Sequence, residues 1–270
     1  MHIKGLPLTT VAPKGLPPIA ASSQRKPDPL EVIFENADWV AVNKPAGLAA
    51  IPGRGETDSV LQRLGRQISL PTTGKADPRL RLVHRIDKDT TGVMLFAKHT
   101  SAQRQLSHQF QNNRLVKEYL ALVNGRVGED EGVVEAALWQ HPTDKLRMAI
   151  ARKGGRPAVT AWKVEQRLKR FTLVRCFPKT GKTHQIRVHM AHIGHPLVID
   201  PLYGSGDPIL LSEHKRRYRP TKGQDERPLI ARLTLHAAKL IVTDPLGQEV
   251  CISAALPKDF RATLNQLHKA

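Results

Sequence analysis

The sequence is poor in cysteine and in aromatic residues. Its 270 residues include two Cys, three Trp, three Tyr and six Phe. Two cysteines cannot build a disulfide framework, and Cys176 and Cys251 lack the paired spacing of a metal site. We therefore expect both to be small buried apolar residues in a reduced, cytoplasmic protein.

The sequence also lacks long apolar runs. The N-terminus has no apolar stretch of signal-peptide length, and no window approaches the roughly 18 consecutive apolar residues that span a bilayer. At 40% hydrophobic content the chain can still bury a substantial core. The sequence predicts a soluble protein with one large domain or two small ones and no membrane partner.

Acidic residues are scarce relative to basic ones. Forty-two Lys and Arg stand against 24 Asp and Glu, which gives a formal charge of +18. So large an excess favours a polyanionic partner, and nucleic acid is the first candidate. Composition alone does not separate RNA from DNA or from anionic lipid.

The chain divides near residue 28. Residues 1–27 contain four basic and no acidic residues, together with five prolines that interrupt any helix or strand. We expect residues 1–27 to form a disordered basic arm and residues 28–270 to form the folded domain, starting with a strand hairpin over Glu31–Phe34 and Trp39–Val42.

Strands dominate the rest of the chain. Short apolar runs bounded by Gly, Pro or Asn predict strands, whereas i, i+4 apolar stripes predict helices around Leu106, Met190 and Leu264. Strands that follow one another favour a large mixed, mainly antiparallel sheet flanked by helices, an α+β fold. The further predicted strands are Val93–Ala97, Lys117–Val123, Gly132–Ala137, Val159–Glu165, Thr172–Phe177, Leu233–Ile241 and Glu249–Ile252.

Three segments concentrate basic residues and predict contact with phosphates. Arg79–Arg81 and Leu210–Pro228 resemble exposed basic loops. Between His141 and Arg170, nine basic residues face two acidic ones. This last segment is the densest candidate RNA-facing surface.

The most informative stretch is His84-Arg85-Ile86-Asp87, followed by Thr91-Gly92 and an apolar strand. An Asp in a polar loop usually makes turn hydrogen bonds, so the spacing alone favours a structural role. The stretch closely resembles the HRLD…(T/S)SG signature of the RluA-type pseudouridine synthases, whose aspartate is catalytic. The resemblance implies that Asp87 is the catalytic carboxylate.

A second block strengthens the resemblance. Residues 180–189, Thr-Gly-Lys-Thr-His-Gln-Ile-Arg-Val-His, are similar to the TGRTHQIRVH motif of the same family, and residues 195–204 resemble its continuation. Lys44-Pro45-Ala46-Gly47, Lys117-Glu118-Tyr119 and Leu235-His236-Ala237 match three shorter blocks. The resemblance covers roughly residues 30–255.

Departures from the family pattern are mild. Lys182 replaces arginine and loses a bidentate donor; Ile86, Thr91 and Ile199 replace leucine, serine and a frequent glycine. The N-terminal S4-type module that many members carry is expected to be absent, since only about 30 loop-like residues precede the first strand.

The resemblance implies a set of site residues. Asp87, Tyr119 and Arg187 are the implied catalytic residues, with Tyr119 holding the uracil and assisting proton transfer at carbon 5. A carboxylate in a closed pocket needs an opposing cation, and by resemblance Arg187 supplies it. The implied substrate-binding residues are His84, Arg85, Thr91, Lys182, His184, Gln185 and Leu235.

The implied reaction, isomerisation of uridine in rRNA or tRNA to pseudouridine, requires no cofactor and no metal. The aspartate either attacks carbon 1′ or removes a proton from carbon 2′ to give a glycal, and the sequence leaves both routes open. No obligatory protein partner is evident.

Three other interpretations compete. A non-catalytic RNA-binding or ribosome-associated protein of the same fold would explain the charge, although the implied catalytic residues argue against it. His184, His189, His192 and His195 cluster in sequence but fit no metal motif. A DNA-binding regulator would need a helix-turn-helix pattern, and none is evident.

Overall fold

A computed structural model describes residues 28–53, 58–215, 218–219 and 225–269. The predicted arm, residues 1–27, lies outside the described residues. Four α-helices lie in the described part: α1 Val60–Gln67, α2 Thr100–Gln111, α3 Gln185–His192 and α4 Lys258–His268. The strands are β1 Glu31–Glu35, β2 Trp39–Lys44, β3 Arg81–Leu82, β4 Thr91–Ala97, β5 Val116–Asn124, β6 Glu131–Glu135, β7 Leu138–Gln140, β8 Met148–Ile150, β9 Val159–Arg167, β10 Phe171–Pro178, β11 Leu235–Thr243 and β12 Glu249–Ser253.

Within the described residues, ten strands form one large mixed sheet. The main path runs β1-β2-β4-β11-β5-β10-β9-β6, with β12 beside β11 and β3 beside β4. Strands β7 and β8 form a separate antiparallel hairpin. Of the pairings within the described part, only β4 with β11 is parallel. The sheet therefore matches the predicted mixed, mainly antiparallel architecture.

The parallel junction of β4 and β11 is unusually close. Gly92 has a φ of 110° and lies opposite Ala237, and a Cβ added at Gly92 would collide with the Ala237 carbonyl oxygen. Only glycine tolerates both the conformation and the approach. Because Ala237 also pairs with Tyr119 on β5, the junction aligns three strands at the middle of the sheet.

Helices cover both faces of the sheet. On β4, Met94 and Phe96 share a core with α1, whereas Val93 and Leu95 pack with α2. Strand β5 alternates in the same way. Ala121 and Val123 pack in the core that contains α3 residues, whereas Leu122 packs in the core that contains α4 residues. Alternation of side chains across a strand thus buries both faces. Among the described helices, none has the length and apolarity that crossing a bilayer requires.

The structure corrects several expectations. Helix α1 and the short strands β3, β7 and β8 were not predicted. Arg81 belongs to β3 with its side chain 9% exposed, so Arg79–Arg81 is not simply an exposed loop. Cys176 is buried as expected. Cys251 is exposed, because it lies on the face of β12 opposite that of the buried Ile252.

Candidate active site

A cleft of about 830 Å³ opens over the middle of the sheet. Its walls come from the loop before β4, the start of β5, the start of β11, the N-terminal part of α3 and the β7–β8 hairpin. Asp87, Tyr119 and Arg187 all line it. The cleft therefore brings together three residues that are up to 100 positions apart in sequence.

An ion-pair chain crosses the floor of the cleft. The Nη1 atom of Arg187 lies 3.3 Å from Oδ2 of Asp87. On its other side, Arg187 donates from Nε and Nη2 to the two carboxylate oxygens of Asp200, both at 2.8 Å. One guanidinium thus bridges two carboxylates, with the tighter, bidentate contact on Asp200.

The Asp200 carboxylate is fully buried, whereas the Asp87 side chain is 27% exposed. Burial lowers the pKa of Arg187, but the hydrogen bonds and negative charges of Asp200 and Asp87 raise it more, so its pKa is raised overall. The guanidinium therefore stays positively charged beside Asp87.

Asp200 is held by its own turn. Its Oδ1 atom accepts the backbone N–H groups of Leu202 and Tyr203. The preceding residue, Ile199, is buried and has a φ of 58°. A left-handed conformation costs a β-branched residue about 1–2 kcal/mol. This strained residue lies in the turn that positions Asp200 for its hydrogen bonds to Arg187.

Tyr203 connects the β7–β8 hairpin to this chain of charges. Its hydroxyl accepts the Met148 N–H at 2.7 Å and lies 2.9 Å from Nδ1 of His184. The Arg187 guanidinium lies over its ring, 5.1 Å from the centroid. His184 in turn places Nε2 3.9 Å from Oδ2 of Asp87. Tyr203 therefore contacts two residues that face Asp87.

Tyr119 and Leu235 form the apolar wall of the cleft. They lie on neighbouring strands and pack in one cluster with Ala121 and Ile186. Burial and, to a smaller extent, the charge of Asp87 raise the pKa of the Tyr119 phenol. Tyr119 is therefore a neutral phenol at physiological pH, suited to lie against an uncharged base.

Lys44 is a residue of this site to which the sequence assigned no role. It is completely buried, and its ammonium donates to the carbonyl oxygens of Pro45, Leu48 and Lys88 at 2.7–2.8 Å. Burial lowers its pKa to about 8, against the raising effect of Asp89 and Asp87. The ammonium ties the Asp87 loop to the loop after β2.

Replacing Lys44 with Met should loosen the Asp87 loop. Three carbonyl groups, one of them buried, would lose their donor, which should lower the free energy of unfolding by about 2–4 kcal/mol. Displacement of Asp87 should lower turnover roughly 10- to 100-fold. Urea unfolding and initial rates test this, with Lys98→Met as a control because Lys98 pairs with Glu35 near the surface. Equal effects of the two substitutions would contradict the anchoring role.

Three residues predicted to bind substrate make hydrogen bonds to protein groups, and two of them, His84 and Gln185, also line the cleft. The Nε2 atom of His84 accepts the Leu95 N–H at 2.9 Å. The buried Thr91 hydroxyl lies 2.9 Å from Nδ1 of His236. The Gln185 amide bonds Val159, Thr160, Thr180 and Lys182. Their polar atoms are satisfied by protein groups, so these residues shape the cleft.

His84 should make the protein sensitive to acid. Burial, and to a smaller extent the charge of Lys117, lowers its pKa to about 3. Between pH 6.5 and pH 3 the unfolded chain binds a proton at this histidine that the folded chain does not, so stability falls as the pH falls. From pH 7 to pH 4.5 the loss from this residue should be about 2–3 kcal/mol.

His84→Gln tests this expectation, because a glutamine carbonyl can still accept the Leu95 N–H but does not titrate. Urea unfolding of both proteins at pH 7 and pH 4.5 should show a smaller loss in the variant. Identical losses would show that His84 takes up its proton in the folded protein.

Two basic residues predicted to bind substrate also face the cleft. Arg85 is exposed at its rim, and Lys182 lines it. Lys117 lies beside Lys182 and donates to the Thr180 carbonyl at 3.0 Å. Burial and the charge of Lys182 lower the pKa of Lys117 to about 8. The cleft thus has a positive rim suited to a phosphate backbone.

The clustered histidines have separate partners. His189 lies 2.9 Å from the Thr160 hydroxyl, and His195 bonds the Asn124 carbonyl. Within the part of the chain that the structure describes, no three His, Cys, Asp or Glu side chains form a group that could hold a metal ion.

Comparison with known proteins decides the family. Residues 38–192 match the RNA pseudouridylate synthase family. Ribosomal large subunit pseudouridine synthase D of Nitrosomonas europaea is 37% identical over 247 residues, which cover 91% of this chain and 67% of that protein. This chain belongs to the RNA pseudouridylate synthase family. The synthase of the same name from Haemophilus ducreyi is 38% identical over 239 residues, covering 86% of this chain and 69% of the relative.

Solved structures of other pseudouridylate synthases agree with this fold. The match with human RNA pseudouridylate synthase domain containing 4 covers 88% of this chain and 92% of the human chain. Its TM-score is 0.65 and its sequence identity is 25%. The match with human RNA pseudouridylate synthase domain containing 1 has a TM-score of 0.62 and 25% identity. It covers 87% of this chain and 86% of the human chain. The predicted α+β fold and the predicted enzyme class, an isomerase acting on RNA, are confirmed. These comparisons support the enzyme and not the binding-only alternative.

Proposed function

We propose that this pseudouridine synthase isomerises uridine in large-subunit ribosomal RNA, with Asp87 as its catalytic carboxylate. The observation that carries the assignment is the bridge from Asp87 through Arg187 to the buried Asp200 at the floor of the cleft. Asp87 is the more exposed of the two carboxylates that share the guanidinium. It is therefore the one that a nucleotide in the cleft can reach.

Asp87 acts at the ribose of the bound uridine. In one route its carboxylate attacks carbon 1′ and the bond to base nitrogen 1 breaks; in the other it removes the proton of carbon 2′ as the base leaves. In the first route the ester bond between Asp87 and carbon 1′ breaks as carbon 5 of the turned uracil bonds carbon 1′; in the second, carbon 2′ regains its proton from Asp87 at that step. In both routes the proton of carbon 5 is then lost and nitrogen 1 gains one. Arg187 compensates the charge of Asp87 before and after the base detaches.

Tyr119 and Leu235 hold the base during its rotation. A flipped uracil loses its stacking in the RNA, which costs a few kcal/mol, and an aromatic wall replaces part of that contact. Because the Tyr119 phenol stays neutral, it can pass a proton from carbon 5 through its hydroxyl but does not act as a phenolate base. Arg85, Lys117 and Lys182 bind the flanking phosphates.

The choice of large-subunit ribosomal RNA rests on the printed names of the relatives from Nitrosomonas europaea and Haemophilus ducreyi. We further propose that residues 28–270 form the catalytic domain and that the protein works in the cytoplasm, where ribosomal RNA is found. It is proposed to act without an obligatory protein partner or cofactor.

Tritium release from RNA tests the proposed substrate. The purified protein is incubated separately with large-subunit ribosomal RNA, small-subunit ribosomal RNA and transfer RNA, each tritiated at carbon 5 of uridine and taken from cells lacking the gene. We expect release into water from the large-subunit RNA alone, with no added protein or cofactor. Release from transfer RNA instead would contradict the proposed substrate.

A further inference from the structure

Trp139 is the exposed tryptophan of this chain. Its side chain lies on β7 and the residue is 58% exposed, whereas Trp39 and Trp162 are buried at 0% and 7%. An indole in water forgoes the burial that the other two obtain. No step of the proposed reaction uses Trp139, so its exposure requires another explanation.

The surface around Trp139 is made of small residues. Trp139 pairs with Ala149 across the hairpin, and the Ala151 N–H bonds the Ala137 carbonyl two pairs further along. Antiparallel partners share a face and alternate residues return to it. A Cβ added at Gly155 would meet the Cβ atoms of Ala151 and Ala137. We call these five residues the stacking shelf. Four of them are Ala or Gly, so the Trp139 indole is the one large side chain among them.

The stacking shelf lies on the opposite side of the hairpin from the cleft. Leu138 and Met148 line the cleft, and each is adjacent in sequence to a shelf residue that points the other way. An RNA strand that leaves the cleft around this hairpin would pass the shelf. The shelf is therefore placed to meet a nucleotide outside the target uridine, not the uridine itself.

The charge around the shelf fits RNA. Between residues 136 and 156 the sequence contains five basic residues and a single acidic one, Asp144. The Asp144 carboxylate accepts the Leu146 N–H and so helps to close the hairpin turn. The basic residues are Lys145, Arg147, Arg152, Lys153 and Arg156, of which Arg147 lies over the Tyr203 ring and Arg156 lines the cleft. A positive surface with an exposed aromatic ring is the combination that binds unpaired nucleotides by phosphate contacts and base stacking.

Hydrogen bonds within the protein fix the shape of the hairpin. The Gln140 side-chain amide donates to the carbonyl oxygens of Lys145 and Arg147 at 2.8 and 2.7 Å, and the Met148 N–H bonds Tyr203. Because these contacts hold both the turn and the strands of the hairpin, the hairpin loses little conformational entropy when a ligand binds.

We propose that Trp139 stacks on an unpaired RNA base outside the target uridine, and that the stacking shelf is a substrate-recognition site of this synthase. This inference rests on the proposed function in that the ligand is the RNA substrate. It assigns recognition to a residue that does not take part in the chemistry.

Tryptophan fluorescence gives a direct test, because Trp139 dominates quenching from solution. Unmodified large-subunit ribosomal RNA, transcribed in vitro, is titrated into the full-length protein and into Trp139→Phe. We expect quenching in the wild type that is largely lost in the variant, whose remaining tryptophans are buried. Acrylamide quenching of the wild type should also decrease when the RNA is bound.

Steady-state tritium release from the same RNA, tritiated at carbon 5, measures the contribution to recognition. Trp139→Ala should raise KM roughly 5- to 100-fold, as expected for the loss of one stacked base, with kcat nearly unchanged. Trp139→Phe should stay close to the wild type because its ring can still stack. Val133→Ala is the matched control, since Val133 is 59% exposed and lies on β6, outside the β7–β8 hairpin.

Unchanged KM in Trp139→Ala together with no quenching by RNA would overturn the inference. A second result would also overturn it. If acrylamide quenches Trp139 less at higher protein concentration in the absence of RNA, a second copy of the chain covers the shelf. Neither result affects the proposed function, which is tested separately by tritium release from large-subunit RNA by the wild type and by Asp87→Asn.

Discussion

Arg187→Ala should both destabilise the protein and abolish turnover. Removal of the guanidinium leaves the Asp200 carboxylate completely buried without its bidentate partner. Breaking a buried ion pair in this way costs about 3–5 kcal/mol of unfolding free energy. Loss of the positive charge beside Asp87 should lower kcat by at least about 10²- to 10³-fold.

A double variant separates these two effects. Arg187→Met combined with Asp200→Asn removes both charges, while the Asn carbonyl can still accept the Leu202 N–H. We expect this variant to regain much of the lost stability and to remain inactive, because Asp87 still lacks its cation. Urea unfolding and tritium release measure the two properties. Recovery of turnover along with stability would mean that Arg187 serves the fold alone.

The two long motifs predicted that Asp87 and Arg187 lie close together. Asp87 and Arg187 were placed together by resemblance, and the structure finds them 3.3 Å apart. The same motifs did not separate residues that line the cleft from residues that support it. Thr91 is buried and pairs with His236, whereas Gln185 lines the cleft, and only the structure distinguishes the two.

Asp200 and Lys44 show a second limit of sequence reasoning. Both lie in segments that were recognised, but their partners depend on tertiary contacts. Asp200 reaches Arg187 through a turn in which Ile199 takes a left-handed conformation. Lys44 is a charged residue that would be expected at the surface, and its burial follows from three carbonyl groups that only the folded loops bring together.

The fold was predicted where strands are long and buried. Strand β4 is entirely buried and reads as a continuous apolar run. Strands β7 and β8 have three residues each, too few for a periodic signal, so the hairpin was seen only as a basic segment. Helix α1 was missed because it has only eight residues and contains Gly65, which has low helix propensity.

Asp87→Asn should abolish turnover while preserving the site around it. Asn has the same shape and can still accept a hydrogen bond from Arg187, but it is neither a nucleophile toward carbon 1′ nor a base toward carbon 2′. We expect the rate to fall by at least about 10³-fold and RNA affinity to change little. Asp89→Asn is the matched control, because Asp89 lies in the same loop, is exposed, and is outside the lining of the cleft.

The most direct test is a single-turnover measurement of tritium release from large-subunit ribosomal RNA by the wild type and by these two variants. Circular dichroism and RNA binding would show that all three proteins are folded and bound. The account predicts release by the wild type and Asp89→Asn and none by Asp87→Asn. Release by Asp87→Asn at a rate near that of the wild type would contradict the assignment of Asp87 as the catalytic carboxylate.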